Sequence, residues 1–156
     1  MTTNPVSVVD PDLLTVRRTI RIAASVEKVW RAVTEPEHIS QWFGRTVLLG
    51  HGVGAQGTIT WPDGPDVPIR VENIDPPRMV SYRWCNGETA AVPDDLDAGP
   101  WTVFTFTLEQ VGQATQLTVV ETGFSALPDP AETLESHRQG WDGELDKLVM
   151  LLEDRR

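Results

Sequence analysis

The sequence predicts an α+β fold in which a curved antiparallel sheet wraps around one long C-terminal helix. Three observations support this prediction: apolar residues recur at helical spacing near the C-terminus, apolar and polar residues alternate between residues 45 and 122, and most breaks between the alternating segments are short. Parallel strands would need crossovers of about a dozen residues or more, so short breaks favour hairpins. The separation of a run of strands from a long helix is typical of the α+β class.

The N-terminal part is predicted to contain one strand followed by two short helices. Residues 15–23 alternate in the manner of a strand, whereas residues 1–14 lack such a pattern and are expected to form a flexible arm. Ser25 is a suitable N-cap for a first helix over residues 26–33. Pro36 begins a second helix, which is expected to end at Gly44.

Six further strands are predicted at residues 45–49, 57–61, 67–74, 79–85, 101–109 and 115–122. Together with the first strand they give a seven-stranded antiparallel sheet, interrupted by a long loop at residues 86–100. The two short helices then lie between strands 1 and 2. The pattern predicts a single domain over residues 15–156.

The C-terminal helix has the clearest signals. Asp129 is placed to cap it, Pro130 occupies its first position, and the pattern continues to about Glu153. Its apolar stripe consists of Leu134, Trp141, Leu145, Leu148, Val149 and Leu152.

The predicted sheet is much wider than the helix that must cover it. Seven strands span roughly 30 Å, whereas one helix is about 10–12 Å across. The sheet must therefore curl around the helix, and incomplete filling would leave an apolar ligand cavity. Side-chain alternation and helical spacing select these candidate ligand-binding residues: Trp42, Trp61, Ile69, Tyr82, Trp84, Phe104, Phe106, Leu117, Val119, Glu121, Trp141 and Leu145.

Glu121 is the polar exception among these candidates. It follows Leu117 and Val119 at alternate positions, which directs its carboxylate toward the concave face of the sheet. There it would anchor a ligand or transfer a proton, with Tyr82 as a second proton-transfer group. Alternatively, it reaches the cavity mouth or pairs with an arginine.

The composition excludes several classes of function. Thirteen basic and 23 acidic residues give a net charge of −10, which argues against nucleic-acid binding. No apolar segment approaches the ~18 residues of a membrane span. Cys85 is the only cysteine, so no intramolecular disulfide is possible, and we expect a cytoplasmic location.

No cofactor, metal or catalytic motif is predicted. Residues 52–57 match the GxGxxG pattern, but a strand rather than a helix follows them, which indicates a hairpin loop. His38, His51 and His137 lack the spacing of a zinc site, and His38 and His137 are expected on helix surfaces. A GxSxG nucleophile elbow is also absent from the sequence.

Four stretches resemble a known family: IAASVEKVWRAVTEPEHISQWFG, VENIDPPRMVSYRW, TQLTVVETGF and HRQGWDGELDKLVMLLE. They are similar to the activator of heat shock protein 90 ATPase homologue-like proteins of the START-like (SRPBCC) superfamily. The resemblance covers about residues 15–154. It implies a helix-grip fold with a hydrophobic cavity, in a superfamily that includes lipid carriers, hormone receptors, and polyketide aromatases and cyclases.

Three interpretations of function remain open at this point. The first is a binding protein for a lipid-like or polycyclic small molecule. The second is a cyclase or dehydratase that uses a cavity carboxylate, and the third is a co-chaperone that acts through its surface. The fold alone does not distinguish these three functions.

Overall fold

The structure is a computed structural model that describes residues 4–62, 64–85, 101–127 and 129–153. The described residues contain eight strands: β1 (Val8–Asp10), β2 (Thr15–Ile22), β3 (Arg45–Leu49), β4 (Gln56–Thr60), β5 (Val67–Asp75), β6 (Met79–Cys85), β7 (Trp101–Val111) and β8 (Ala114–Thr122). The helices are α1 (Val26–Thr34), α2 (Pro36–Ile39), a short 3-10 helix (Phe124–Ala126) and α3 (Pro130–Leu152). The long loop predicted at residues 86–100 lies outside the described residues.

All strands belong to one open antiparallel sheet in the order β1-β2-β8-β7-β6-β5-β4-β3. Consecutive strands from β3 to β8 are neighbours, and all of these connections except residues 86–100 between β6 and β7 are short. The α+β helix-grip fold predicted from the sequence is therefore confirmed.

The sheet has one strand more than predicted. The additional strand, β1, lies within residues 1–14, where a flexible arm was expected, and it pairs with β2 so that Val9 faces Val16. Next to it, the backbone N–H of Ser7 donates a 2.6 Å hydrogen bond to the side chain of Asp142 on α3. The pairing with β2 and the contact with α3 hold β1 in place. Its apolar pattern is too short to predict a strand from the sequence.

The two short helices pack against each other and against the sheet, α1 on β7 and β8 and α2 on β3. The hydroxyl of Ser25 accepts from the N–H of Lys28 at the start of α1, as its position predicts. Helix α2 ends at Ile39 rather than Gly44. The Ser40 hydroxyl donates to the Pro36 carbonyl and accepts from the N–H of Thr46, and such side-chain bonds compete with further helix.

Helix α3 lies against the concave face of the sheet. Leu145 and Leu148 are completely buried there. Arg18 on β2, itself only 3% exposed, donates to the carbonyl of Asp142 and pairs with Asp146 at 2.8 Å. Apolar packing and the contacts of Arg18 together hold α3 against the sheet.

Aromatic side chains fill the interior between sheet and helices. The rings of Trp42, Phe43, Tyr82, Trp84, Phe104, Phe106 and Trp141 contact one another, with neighbouring centroids 4.6 to 6.4 Å apart. This range is favourable for aromatic pairs. The void among the described residues at this place measures only about 10 Å³, roughly the space of one water molecule. At this place the packed rings leave little of the empty space that sheet width suggested.

Helix α3 is the longest helix, but it is not apolar along its length. No helix within the described ranges is long and apolar enough to cross a membrane.

Candidate functional site

A cleft of about 250 Å³ opens between α3 and the neighbouring ends of β4 and β6. Its lining consists of Phe43, Trp61, Trp84, Ser136, His137, Gly140, Trp141 and Glu144. The cleft is open to solvent on one side, unlike the small void in the core. We call it the aromatic cleft.

Four aromatic rings form its wall. Phe43 stacks on Trp141 with ring centroids 5.5 Å apart, and it meets Trp61 edge-on at 5.0 Å. Trp84 lies beside Trp61 at 5.9 Å. Contacts on several sides restrict how these rings can turn, so the wall is preformed. Phe43, Trp84 and Trp141 are buried behind its surface, whereas Trp61 is half-buried.

One face of α3 also lines the cleft and contributes Trp141 to the aromatic wall. Residues 136, 137, 140, 141 and 144 recur at helical spacing and therefore share that face. A Cβ atom added to Gly140 would meet no atom within 4 Å, so the glycine leaves open space in the cleft. Glu144 is only 18% exposed and pairs with Lys147 at 2.8 Å.

The carboxylate of Glu121 lies behind the cleft wall and is completely buried. Trp141 donates from its indole to Oε1 at 2.9 Å. Trp84 and Thr102 donate to Oε2 at 2.9 and 2.6 Å. The fourth group is the Nδ1 atom of His137, 2.8 Å from Oε1 and 2.9 Å from Oε2. Four groups from β6, β7 and α3 thus converge on one carboxylate of β8.

His137 connects this buried carboxylate to the cleft. Its side chain is 19% exposed, and its ring stands edge-on between Trp84 at 5.7 Å and Phe124 at 5.3 Å. Because Nδ1 is bound to Glu121, the other ring nitrogen, Nε2, is the atom left for a ligand. Within the described part of the chain Nε2 has no hydrogen-bond partner.

The structure divides the predicted ligand-binding residues into three groups. Trp61, Trp84 and Trp141 line the aromatic cleft, with Glu121 directly behind it. Trp42, Ile69, Tyr82, Phe104 and Phe106 surround the small core void instead. Leu117, Val119 and Leu145 are fully buried and line neither.

Tyr82 is held by the core rather than presented to a ligand. Its hydroxyl donates a 2.5 Å hydrogen bond to the carbonyl of Val33. Burial raises the pKa of Tyr82 well above its ordinary value. These two observations argue against the proton-transfer role considered for it from the sequence.

Sequence reasoning missed His137, Thr102 and Phe43 as site residues. His137 was expected on the helix surface, yet its position contained a usable signal. It lies three residues after Leu134 and four before Trp141, which places it on the apolar stripe of α3. Thr102 carried no comparable signal, because its role depends on pairing opposite Trp84 across β6 and β7.

The described residues contain no cluster of three His, Cys, Asp or Glu side chains suited to a metal ion. Indole, hydroxyl and imidazole groups instead converge on the buried carboxylate of Glu121.

An antiparallel sheet that wraps around a long C-terminal helix defines a START-like helix-grip protein. The sequence model of the family described as "Activator of Hsp90 ATPase homolog 1-like protein" matches residues 23–153. The chain belongs to this family. A search of curated proteins found no match.

Solved structures support the same assignment. Protein MLL2253 from Mesorhizobium loti is 28% identical, with a TM-score of 0.73 over 90% of this chain and 99% of its own. DynU16, from the dynemicin biosynthetic locus, is also 28% identical, with a TM-score of 0.70 over 89% of this chain. This chain spans only 47% of DynU16. Aha1 from Colwellia psychrerythraea, solved as a dimer, is 21% identical, and the match covers 89% of this chain and 96% of Aha1. Its TM-score of 0.70 shows a shared fold.

Proposed function

We propose that the protein binds a small, planar and largely apolar molecule in the aromatic cleft. The observation that carries the proposal is the preformed wall of Phe43, Trp61, Trp84 and Trp141 facing an open space. Concave sites lined by aromatic side chains with few polar groups are typical of small-molecule binding. His137 supplies the polar anchor, since Nε2 can accept a hydrogen bond from a ligand hydroxyl.

The dimensions of the cleft favour a smaller ligand than the lipid-like or polycyclic molecule expected from the sequence. Its volume of about 250 Å³ lies just below the ~300–1,000 Å³ of typical ligand pockets. A body of one or two fused rings would be covered by the aromatic wall, whereas a longer molecule would extend into solvent. The relationship to DynU16, from a biosynthetic locus, supports a small-molecule ligand.

The charge of the chain argues against an anionic ligand. The net charge of −10 disfavours polyanions, including nucleic acids. Within the cleft, Glu144 is paired with Lys147, and Glu121 is surrounded by hydrogen-bond donors. Glu121 is thus satisfied within the protein, whereas Oε2 of Glu144, although 2.8 Å from Lys147, makes no hydrogen bond among the described residues. Aromatic stacking and hydrogen bonds to His137 and Glu144 are the expected contacts.

Two glycines of α3 provide a matched test. Gly140 lines the cleft and Gly143 does not, although an added Cβ meets no atom within 4 Å at either position. Gly140→Leu should fill the cleft, whereas Gly143→Leu should add the same side chain outside it. In isothermal titration calorimetry with 2-naphthol, we expect the wild type and Gly143→Leu to bind and Gly140→Leu to lose binding. Equal binding by both variants would exclude the cleft as the site.

A further inference from the structure

We infer that Glu121 and His137 form a proton-transfer pair that removes a weakly acidic proton from a ligand in the aromatic cleft. The substrate class is a planar molecule with a C–H group next to a carbonyl, or a comparable carbon acid. The inference rests on the proposed binding site and assigns chemistry to it. Nε2 of His137 would be the catalytic base, and Glu121 the positioning residue behind it.

The contacts of Glu121 determine which nitrogen of His137 carries the proton. Trp84 and Trp141 can only donate through their indole N–H groups, and Thr102 donates its hydroxyl proton to Oε2. A carboxylate surrounded in this way acts as an acceptor, so the Nδ1 atom of His137 must donate to it as well. In the neutral ring, Nε2 therefore carries the lone pair that accepts a proton.

The position of Nε2 distinguishes this histidine from one with a purely structural role. A structural histidine in a core uses both ring nitrogens, because an unpaired buried nitrogen is costly. His137 uses Nδ1 inside the protein, while its ring lines the cleft and remains 19% exposed. Trp84 and Phe124 pack edge-on against the ring and hold its orientation. A buried carboxylate that orients an imidazole toward a binding site is the arrangement of a general base.

The proposed step conserves atoms and electrons without a further reagent. Nε2 takes the proton from the carbon, the C–H electron pair forms a C=C bond, and the carbonyl π pair moves to oxygen. Glu121 compensates the positive charge that develops on the imidazole ring. Return of the proton from Nε2 to oxygen or to another carbon completes an enolisation or isomerisation.

The experiment uses 5-nitrobenzisoxazole, a planar aromatic carbon acid, as the probe. Nε2 would take the proton from C3, the C–H pair would form the nitrile, and the N–O bond would break with its pair on the phenolate oxygen. The coloured phenolate reports the rate directly. We expect the wild type to show saturable turnover above the rate with an equal concentration of free imidazole.

Variants at His137 isolate the base. His137→Asn retains an amide N–H for Glu121 but has no basic nitrogen, and we expect kcat to fall about 100-fold, in line with the ~10²–10⁴ contributed by a general base. His137→Ala serves as a second variant should the asparagine perturb folding, which thermal unfolding will show. The control His38→Ala removes a half-exposed histidine elsewhere and should leave the rate unchanged.

Glu121→Gln tests the positioning role. The substitution removes the charge that compensates the imidazolium. We therefore expect kcat to fall at least 10-fold while KM stays unchanged. A purely structural role of Glu121 would not change kcat without changing KM.

The outcomes separate this inference from the proposed function. If 2-naphthol binds but the turnover of 5-nitrobenzisoxazole is the same in wild type and His137→Asn, the proton-transfer pair is refuted and the binding site stands. If neither compound binds, both proposals are refuted.

Discussion

The indole Nε1 of Trp141 donates a 2.9 Å hydrogen bond to Oε1 of Glu121, which joins α3 to β8 in the interior of the protein. This bond makes one side chain part of both the fold and the candidate site. Trp141 also forms part of the cleft wall, so the position of the wall depends on a buried carboxylate. Truncation of either side chain to alanine is consequently expected to change stability and ligand binding together.

Replacement of Glu121 by alanine should destabilise the protein strongly. The change removes the acceptor that Trp84, Trp141 and Thr102 share, and the loss of a buried hydrogen-bond partner typically costs about 1–3 kcal/mol for each group left unsatisfied. Urea unfolding of the wild type and Glu121→Ala measures the loss. Glu109→Ala, at an exposed position on β7, is the matched control and should change stability by less than about 0.5 kcal/mol. A similar small change for Glu121→Ala would show that the carboxylate does not hold the site together.

Leu145→Ala tests how much the packing of α3 against the sheet stabilises the protein. The side chain is fully buried, and truncation of a buried leucine costs roughly 2–5 kcal/mol. Met150→Ala is a control on the same helix, since its side chain is 74% exposed. Denaturant unfolding should separate the two variants clearly, and equal stabilities would contradict the packing of α3.

The stability of the protein should fall at alkaline pH because of Tyr82. Burial raises the pKa of this hydroxyl above the ~10 of the unfolded chain, so the folded state keeps its proton while the unfolded state loses it. The contribution of Tyr82 to the free energy of unfolding is fully present below pH ~10. It decreases as the pH rises further.

Tyr82 is the only tyrosine, so its ultraviolet titration is directly assignable. Tyrosinate absorbance should appear only as the protein unfolds, and Tyr82→Phe should remove this part of the alkaline loss in stability. Ionisation at the ordinary pKa in the folded protein would contradict the burial of the hydroxyl.

Much of the fold was predictable from local signals. Alternation of apolar and polar residues predicts the strand over residues 45–49, and capping residues predict the start of α3 at Pro130. Both signals depend only on residues close together in the sequence. Strand β1 was not predictable in the same way. Its three residues form a strand through pairing with β2 and a contact between Ser7 and Asp142, which are 135 residues apart.

The candidate site was predictable only in part, for a related physical reason. Alternation identified Glu121 as an inward-facing residue, because the direction of a side chain along a strand is a local property. Its partners could not be inferred, since Thr102, His137 and Trp141 approach it from other elements. Sheet width also suggested more empty space than the aromatic side chains leave in the core.

The six tryptophans provide the most direct test of the binding site, because each indole N–H gives its own signal in a nitrogen–proton correlation spectrum. On addition of 2-naphthol to the labelled protein, we expect the signals of Trp61, Trp84 and Trp141 to shift. The signal of Trp42, which donates to the Ala32 carbonyl in the core, should stay in place, as should that of Trp30 on α1. A shift confined to Trp42, with the three cleft signals unchanged, would contradict binding in the aromatic cleft.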